Sequence, residues 1–248
     1  MPIIFNADDY GYSKGVNLGI IEAANHGVVT SATMLANMPG FEHGVRLLAT
    51  SELKIGVHLC LTTGPSLGGV YRTLTDDQGH FVSQTTLLER ANAGQVDLAE
   101  VEKEYTLQIE KIRQAGVNIT HMDGHHHNQN WPGLIDVFLK LANKYQVAVR
   151  LDDPDRRQAY PQYTDLKAPL FDGSFFGDNL THAHIEHLAT TYTQPVEIMC
   201  HPAYVDAYLL ANSRYNIQRT QELAILTSQR TRDILASHGM VCISYADL

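Results

Sequence analysis

The sequence predicts an α/β fold, a distorted (β/α) barrel of the TIM type with about seven strands. Three observations carry that reading. Short apolar runs alternate with helical patterns at a spacing of roughly 25–40 residues, the mark of a parallel sheet with crossover helices. About seven such units suit a closed or nearly closed barrel better than a short open sheet. Polar, titratable residues fall at the ends of several apolar runs, and in a parallel barrel all strand C-termini converge on one face.

The elements follow in order. Ile3 to Phe5 is strand-like and runs into Asn6-Ala7-Asp8-Asp9. Val16 to Asn25 carries apolar residues at Val16, Ile20, Ala23 and Ala24, a helical spacing, with Gly27 as its C-cap. Val28 to Leu35 reads as a second strand, Glu42 to Thr50 as a helix and Ile55 to Leu61 as a third strand. Leu98 to Gln114 is a long helix closed by Gly116. Val117 to Asp123 is a strand, Leu134 to Asn143 a helix and Val147 to Leu151 a strand. Val196 to Cys200 is a strand, Ile217 to Ser237 a helix ending at Gly239, and Val241 to Ile243 a last strand. No linker, composition break or low-complexity tract interrupts the chain, so residues 1–248 are expected to form a single domain. Two connections are long, Thr62 to Thr85 and Asp152 to Asn179; the second carries Tyr160, Tyr163, Phe171, Phe175 and Phe176, rings suited to a substrate wall.

Composition narrows the function classes. A hydrophobic content of 44% and a charged content of 18% are ordinary for a soluble globular protein. A net charge of −9 argues against nucleic acid and against anionic membranes as partners, and is compatible with a neutral substrate. Cys60, Cys200 and Cys242 lack metal or disulfide spacing and read as reduced, buried thiols. No signal peptide is visible, and no apolar run approaches the ~20 residues of a membrane span, so the expected compartment is the cytoplasm.

The chemistry is concentrated at strand ends. Asp8 and Asp9 end the first strand, and His58 lies within the third. His121-Met122-Asp123-Gly124-His125-His126-His127 packs four histidines and an aspartate into seven residues. Arg150 and His201 follow two later strands. Ser13 is better placed than Asp8 or Asp9 to cap the first helix, which frees both carboxylates for a site. A lone His58 would be an ordinary core histidine; in this company it reads as a ligand. Strand alternation lets His125 and His127 share a face while His126 points away, and His121 reads as an inner supporting residue. A catalytic metal site needs about three protein ligands and an open position, which Asp9, His58 and His125 supply from three strands. Asp8 is then the candidate base and His201 the candidate general acid.

These motifs resemble the YdjC family of carbohydrate deacetylases, the group that includes chitooligosaccharide deacetylase. The resemblance rests on Asn6-Ala7-Asp8-Asp9-Tyr10-Gly11, Val29-Thr30-Ser31-Ala32-Thr33, Gly56-Val57-His58-Leu59, the histidine run, and Met199-Cys200-His201-Pro202-Ala203. It implies a polysaccharide-deacetylase-like barrel, a divalent metal usually given as magnesium, a homodimer, and removal of an N-acetyl group from an N-acetylglucosamine oligosaccharide. By position it puts the ligands on Asp9, His58 and His125, the base on Asp8 and the acid on His201. Arg150 is expected to orient Asp8 or a substrate oxygen, Asp123 to hold a histidine in its working tautomer, and His127 to support the site or touch substrate. Gln129 stands where family members often carry a further histidine. Two imidazoles and a carboxylate suit zinc, cobalt or manganese better than magnesium. The rival readings are an amidohydrolase or phosphoesterase on a similar barrel, and a sugar-binding relative without catalysis.

Overall fold

The computed structural model describes residues 1–152, 160–163 and 165–248. Residues 153–159 and 164, within the second long connection, lie outside the described residues. The strands are β1 (Pro2–Tyr10), β2 (Ser31–Met34), β3 (Lys54–Leu59), β4 (Ile119–Gly124), β5 (Ala148–Val149), β6 (Leu170–Asp172), β7 (Val196–Cys200) and β8 (Val241–Cys242). They form one sheet in the order β5-β4-β3-β2-β1-β7-β6, with β8 beside β1, and every pairing is parallel. The sheet curls toward closure. At its seam the Val149 N–H on β5 donates to the Lys167 carbonyl, just before β6, at 2.8 Å.

β1 pairs with β2, β7 and β8 and is buried from Ile3 to Tyr10, as a strand covered on both faces must be. Its outward residues Ile3, Phe5 and Ala7 join the main core under the helices. Ile4 faces the barrel interior with Ala148 and Tyr245, so Asn6 and Asp8 face inward too. The interior therefore changes from apolar at the floor to polar at the mouth. His121 stacks flat on Tyr245, with ring centres 3.8 Å apart, and its Nε2 meets the Asn6 Oδ1 at 2.9 Å. Gly56 makes room for that ring: a Cβ there would lie 2.6 Å from the His121 Cε1.

The helices are α1 (Lys14–His26), α2 (Phe41–Leu48), α3 (Gln84–Asn92), α4 (Leu98–Gln114), α5 (Leu134–Tyr145), α6 (His182–Thr191), α7 (Ala207–Asn212), α8 (Gln218–Leu226) and α9 (Gln229–Ser237). Ser13 caps α1, accepting from the Val16 N–H at 3.2 Å, so the neighbouring aspartates are free. α4 buries an unusual pair, Glu104 and Gln108. Glu104 accepts from the Leu67 and Gly68 N–H groups and the Tyr71 hydroxyl, while Glu100 accepts from the Arg72 and Thr73 N–H groups. The first long connection is thus clamped to α4. Among the described residues no helix is long and apolar enough to cross a membrane.

Several boundaries differ from the sequence reading. The helix expected over Ile217–Ser237 is two, because Ser228 adopts an extended backbone and caps α9 through the Thr231 N–H at 3.1 Å. The strand expected over Val28–Leu35 pairs only over Ser31–Met34, and that over Val147–Leu151 only over Ala148–Val149. β6, α3, α6 and α7 lie in stretches with no expected element.

The contact at Gly56 has a measurable consequence. G56A forces the His121 ring off Tyr245, an overpacking cost of about 1–3 kcal/mol. The melting temperature should fall by roughly 2–12 °C for a chain of this size. An unchanged melting curve would show that the ring is not wedged there.

Candidate active site

In a regular strand Asp8 and Asp9 would point to opposite faces. They do not, because β1 is irregular between Ala7 and Tyr10 and Asp9 adopts a left-handed φ of 72°. Asp tolerates that region better than most residues, though at a cost. The distortion brings both carboxylates to the barrel mouth. A second distortion follows β4, where His126 and His127 both adopt left-handed φ values of 56° and 54°. The strand ends at Gly124, so the alternation expected across the histidine run does not apply. His126 faces the cavity as well: its Nδ1 meets the Thr62 hydroxyl at 2.8 Å and its ring packs 3.9 Å from that of His125.

Asp9, His58 and His125 converge. The His125 Nδ1 lies 3.0 Å from the Asp9 Oδ1 and 3.2 Å from the His58 Nε2; the His58 Nε2 lies 3.5 Å from that same oxygen. The Nδ1 of His58 contacts the Asp123 Oδ1 at 2.7 Å, which leaves Nε2 to face the cluster. That carboxylate–histidine arrangement is the usual support for a metal-binding imidazole. The three residues could hold a metal ion, and two further observations fit one. The Asp9 Oδ1 is buried and, apart from these two imidazole contacts, has no hydrogen-bond partner among the described residues. The buried carboxylates here (Asp8, Asp9, Asp123, Glu197 and Glu222) outnumber the buried guanidiniums (Arg150 and Arg219), an excess of acid that favours a cation.

Arg150 is fully buried and grips Asp8 with both ends of its fork, at 2.7 and 2.6 Å. It also contacts Asp123 at 2.9 Å and Glu197 at 2.6 Å. Burial pushes the Asp8 carboxyl up, but the Arg150 guanidinium outweighs burial and holds it well below the usual carboxylate range. Asp8 is a carboxylate with fixed orientation. Across the mouth, His201 is partly buried, and desolvation pulls its imidazole down to about 4 against the opposing field of Asp8. Its backbone N–H donates to Glu222, which also accepts from the Tyr215 hydroxyl; burial nonetheless pushes Glu222 up to about 7.

These groups line one cavity of about 650 Å³ that contains Asp8, Asp9, His58, His125 and His201. Arg150 and Asp123 lie beneath it. His127 lines the cavity, 3.5 Å from Asp152 and edge-on to the Phe171 ring. Phe176, from the long aromatic connection, is half exposed at the rim, stacked 4.1 Å from Tyr215. The sequence reading missed a whole wall: Tyr215, Arg219 and Glu222 on and before α8. Nothing in their spacing marks them, since α8 reads as an ordinary amphipathic helix. It also missed Glu197, which sits within an apolar strand run; a lone buried acid there was the available signal.

His58 yields a prediction. Burial alone would lower its pKa from 6.5, but Asp123 and Asp8 outweigh burial and raise it to about 10. The protonated ring therefore stabilises the metal-free fold below its unfolded value of 6.5, and that contribution is lost as pH rises through about 10. A metal must displace this proton. Apparent metal affinity should rise about tenfold per pH unit from neutrality toward pH 10 and then level off; a dissociation constant independent of pH would refute the assignment. D123N should weaken metal binding by roughly 10–100-fold in titration calorimetry.

A carbohydrate deacetylase 1 from Listeria innocua is 43% identical over the full length of both chains, and a carbohydrate deacetylase from Geobacillus stearothermophilus is 38% identical over 98% of this chain and 96% of its own. A solved protein from Enterococcus faecalis, named for a proposed role in cellobiose-phosphate cleavage, is 32% identical and superposes with a TM-score of 0.89 over 99% of this chain and 98% of its own. A family 4 carbohydrate esterase from Streptomyces lividans shares the fold alone, with a TM-score of 0.52 at 13% identity over 97% of this chain and 90% of its own. The YdjC-like protein family model matches residues 2–237, and the chain belongs to that family.

Proposed function

We propose that the protein is a metal-dependent carbohydrate deacetylase that hydrolyses the N-acetyl group of N-acetylglucosamine oligosaccharides, of the diacetylchitobiose type. One observation carries the reading. A cavity holds the metal set Asp9, His58 and His125 and, beside it, a carboxylate fixed by a guanidinium and a partly buried imidazole; Asp8 could also join His58 and Asp123 around an ion, but Arg150 already takes both of its oxygens. Binding a metal through Asp9, His58 and His125 requires neither Asp8 nor His201 in those positions. The full-length relatives named carbohydrate deacetylase supply the substrate class.

When bound through Asp9, His58 and His125, a divalent ion would acidify water and polarise the acyl oxygen. The residues do the rest. Asp8 has one task, to take the proton of the attacking water, and Arg150 keeps both of its oxygens in place for it. The C–N bond then breaks, the acyl group leaves as acetate, and the amine nitrogen gains a proton. His201 is the ring placed to deliver that proton. Its resting imidazole is neutral at pH 7, so it must first take up a proton from solvent, which the negative charge building on the tetrahedral species favours; it then passes that proton to the amine nitrogen, and the proton held by Asp8 returns to solvent. Cytoplasmic residence and a homodimer belong to the same proposal, to be checked by cell fractionation and light scattering.

Two tests apply. Metal-stripped protein should release no acetate from diacetylchitobiose and should recover with zinc, cobalt or manganese better than with magnesium, given the nitrogen-rich donor set. Hydrolysis of phosphate esters with no acetate release would favour a phosphoesterase instead. D8N should lower acetate release by at least about 10²–10⁴-fold, the usual range for losing a general base, while metal content stays at the wild-type level. Unchanged turnover would remove Asp8 from the mechanism.

A further inference from the structure

Arg219 sits in the first turn of α8 and is only 4% exposed. Its Nη2 donates to the Asp9 Oδ2 at 2.7 Å and its Nε to the Tyr215 carbonyl at 2.8 Å. Its Nη1 is buried with no partner among the described residues, and the residue lines the cavity beside Asp8, Asp9 and His201. Leaving a buried donor unmade costs about 1–3 kcal/mol, more for a charged one.

Among the described residues the wall offers this arm no acceptor. Asp8 is taken by Arg150, Asp9 Oδ2 by the other arm of Arg219, and Glu222 by the Tyr215 hydroxyl and the His201 N–H. The remaining oxygen of Asp9 faces the two histidines. Among the described residues none is left to accept from it, so the cavity is where its acceptor enters. Holding Asp9 alone would need a single N–H, which a lysine supplies; the planar fork of arginine adds a second, parallel donor. A fixed positive charge in a buried corner is matched best by an oxygen that carries or develops negative charge.

We propose that Arg219 is a substrate-contacting residue whose Nη1 donates to an oxygen of the acyl group, the carbonyl oxygen in the substrate and a carboxylate oxygen in the acetate product. This rests on the deacetylase reading above. The donor contributes most when the carbonyl oxygen becomes an oxyanion, so it acts on turnover. A contact to a sugar hydroxyl would act on binding instead.

The test compares wild type, R219K and R219A, each checked for folding by thermal melting and for metal content. R219K should keep its metal, lose on the order of 100-fold in kcat, the usual loss for one oxyanion donor, and bind acetate more weakly than wild type. Guanidinium ion should restore part of the activity of R219A. The proposal is overturned if R219K matches wild type in kcat and acetate binding, if its loss tracks metal loss alone, or if KM rises with kcat unchanged. Should wild type release no acetate from any N-acetylated sugar, the deacetylase reading fails by itself. Acetate titrated calorimetrically into the zinc-loaded proteins still decides on Arg219, equal affinities overturning it.

Discussion

The barrel depends on one buried guanidinium. Arg150, just past β5, meets Asp8 of β1, Asp123 of β4 and Glu197 of β7, and so ties strands from either side of β1 to it. Removing one partner from such a cluster costs far more than the cluster contributes as a whole, because the remaining charges cannot return to water. Three carboxylates around one guanidinium leave the interior negative. The same imbalance that makes the fold sensitive to Arg150 is what draws a cation to the mouth, so stability and metal binding are coupled through one residue.

The mouth is built from conformations a relaxed strand avoids. Asp9, His126 and His127 all occupy the left-handed region, and each flanks the cavity. Such backbones persist only where the surroundings over-determine them. Here Arg219 holds Asp9, Thr62 holds His126, and the connection carrying Thr62 is fastened to α4 through Glu100 and Glu104. The polar clamps far from the cavity thus preserve geometry within it.

Much of this was legible in the sequence for a physical reason. The parallel strands are buried on both faces, so they appear as apolar runs, and their ends carry the chemistry as abrupt polar punctuation: Asp8-Asp9, His58, Asp123-Gly124-His125, His201. What escaped lacked that contrast. β6 spans only Leu170–Asp172 inside a loop, too short for periodicity. Ser228 divides α8 from α9 through a backbone choice that the apolar pattern crosses without interruption. Arg219 and Glu222 look like solvent-facing helix charges until the fold turns them inward. The reading of His126 as pointing away failed because alternation presumes a strand, and the strand had ended.

The floor of the barrel has a bearing on how the chain folds. Tyr245 plugs the interior under His121 and donates to Glu197, the same acid that Arg150 holds, while β8 pairs with the first residues of β1. The first strand of the sheet is therefore sealed by residues far away in sequence. Without Tyr245 in place, Arg150 and its carboxylates would stay open to water. Locking of the polar interior, and with it the working shape of the mouth, rests on non-local contacts that a folding chain makes slowly.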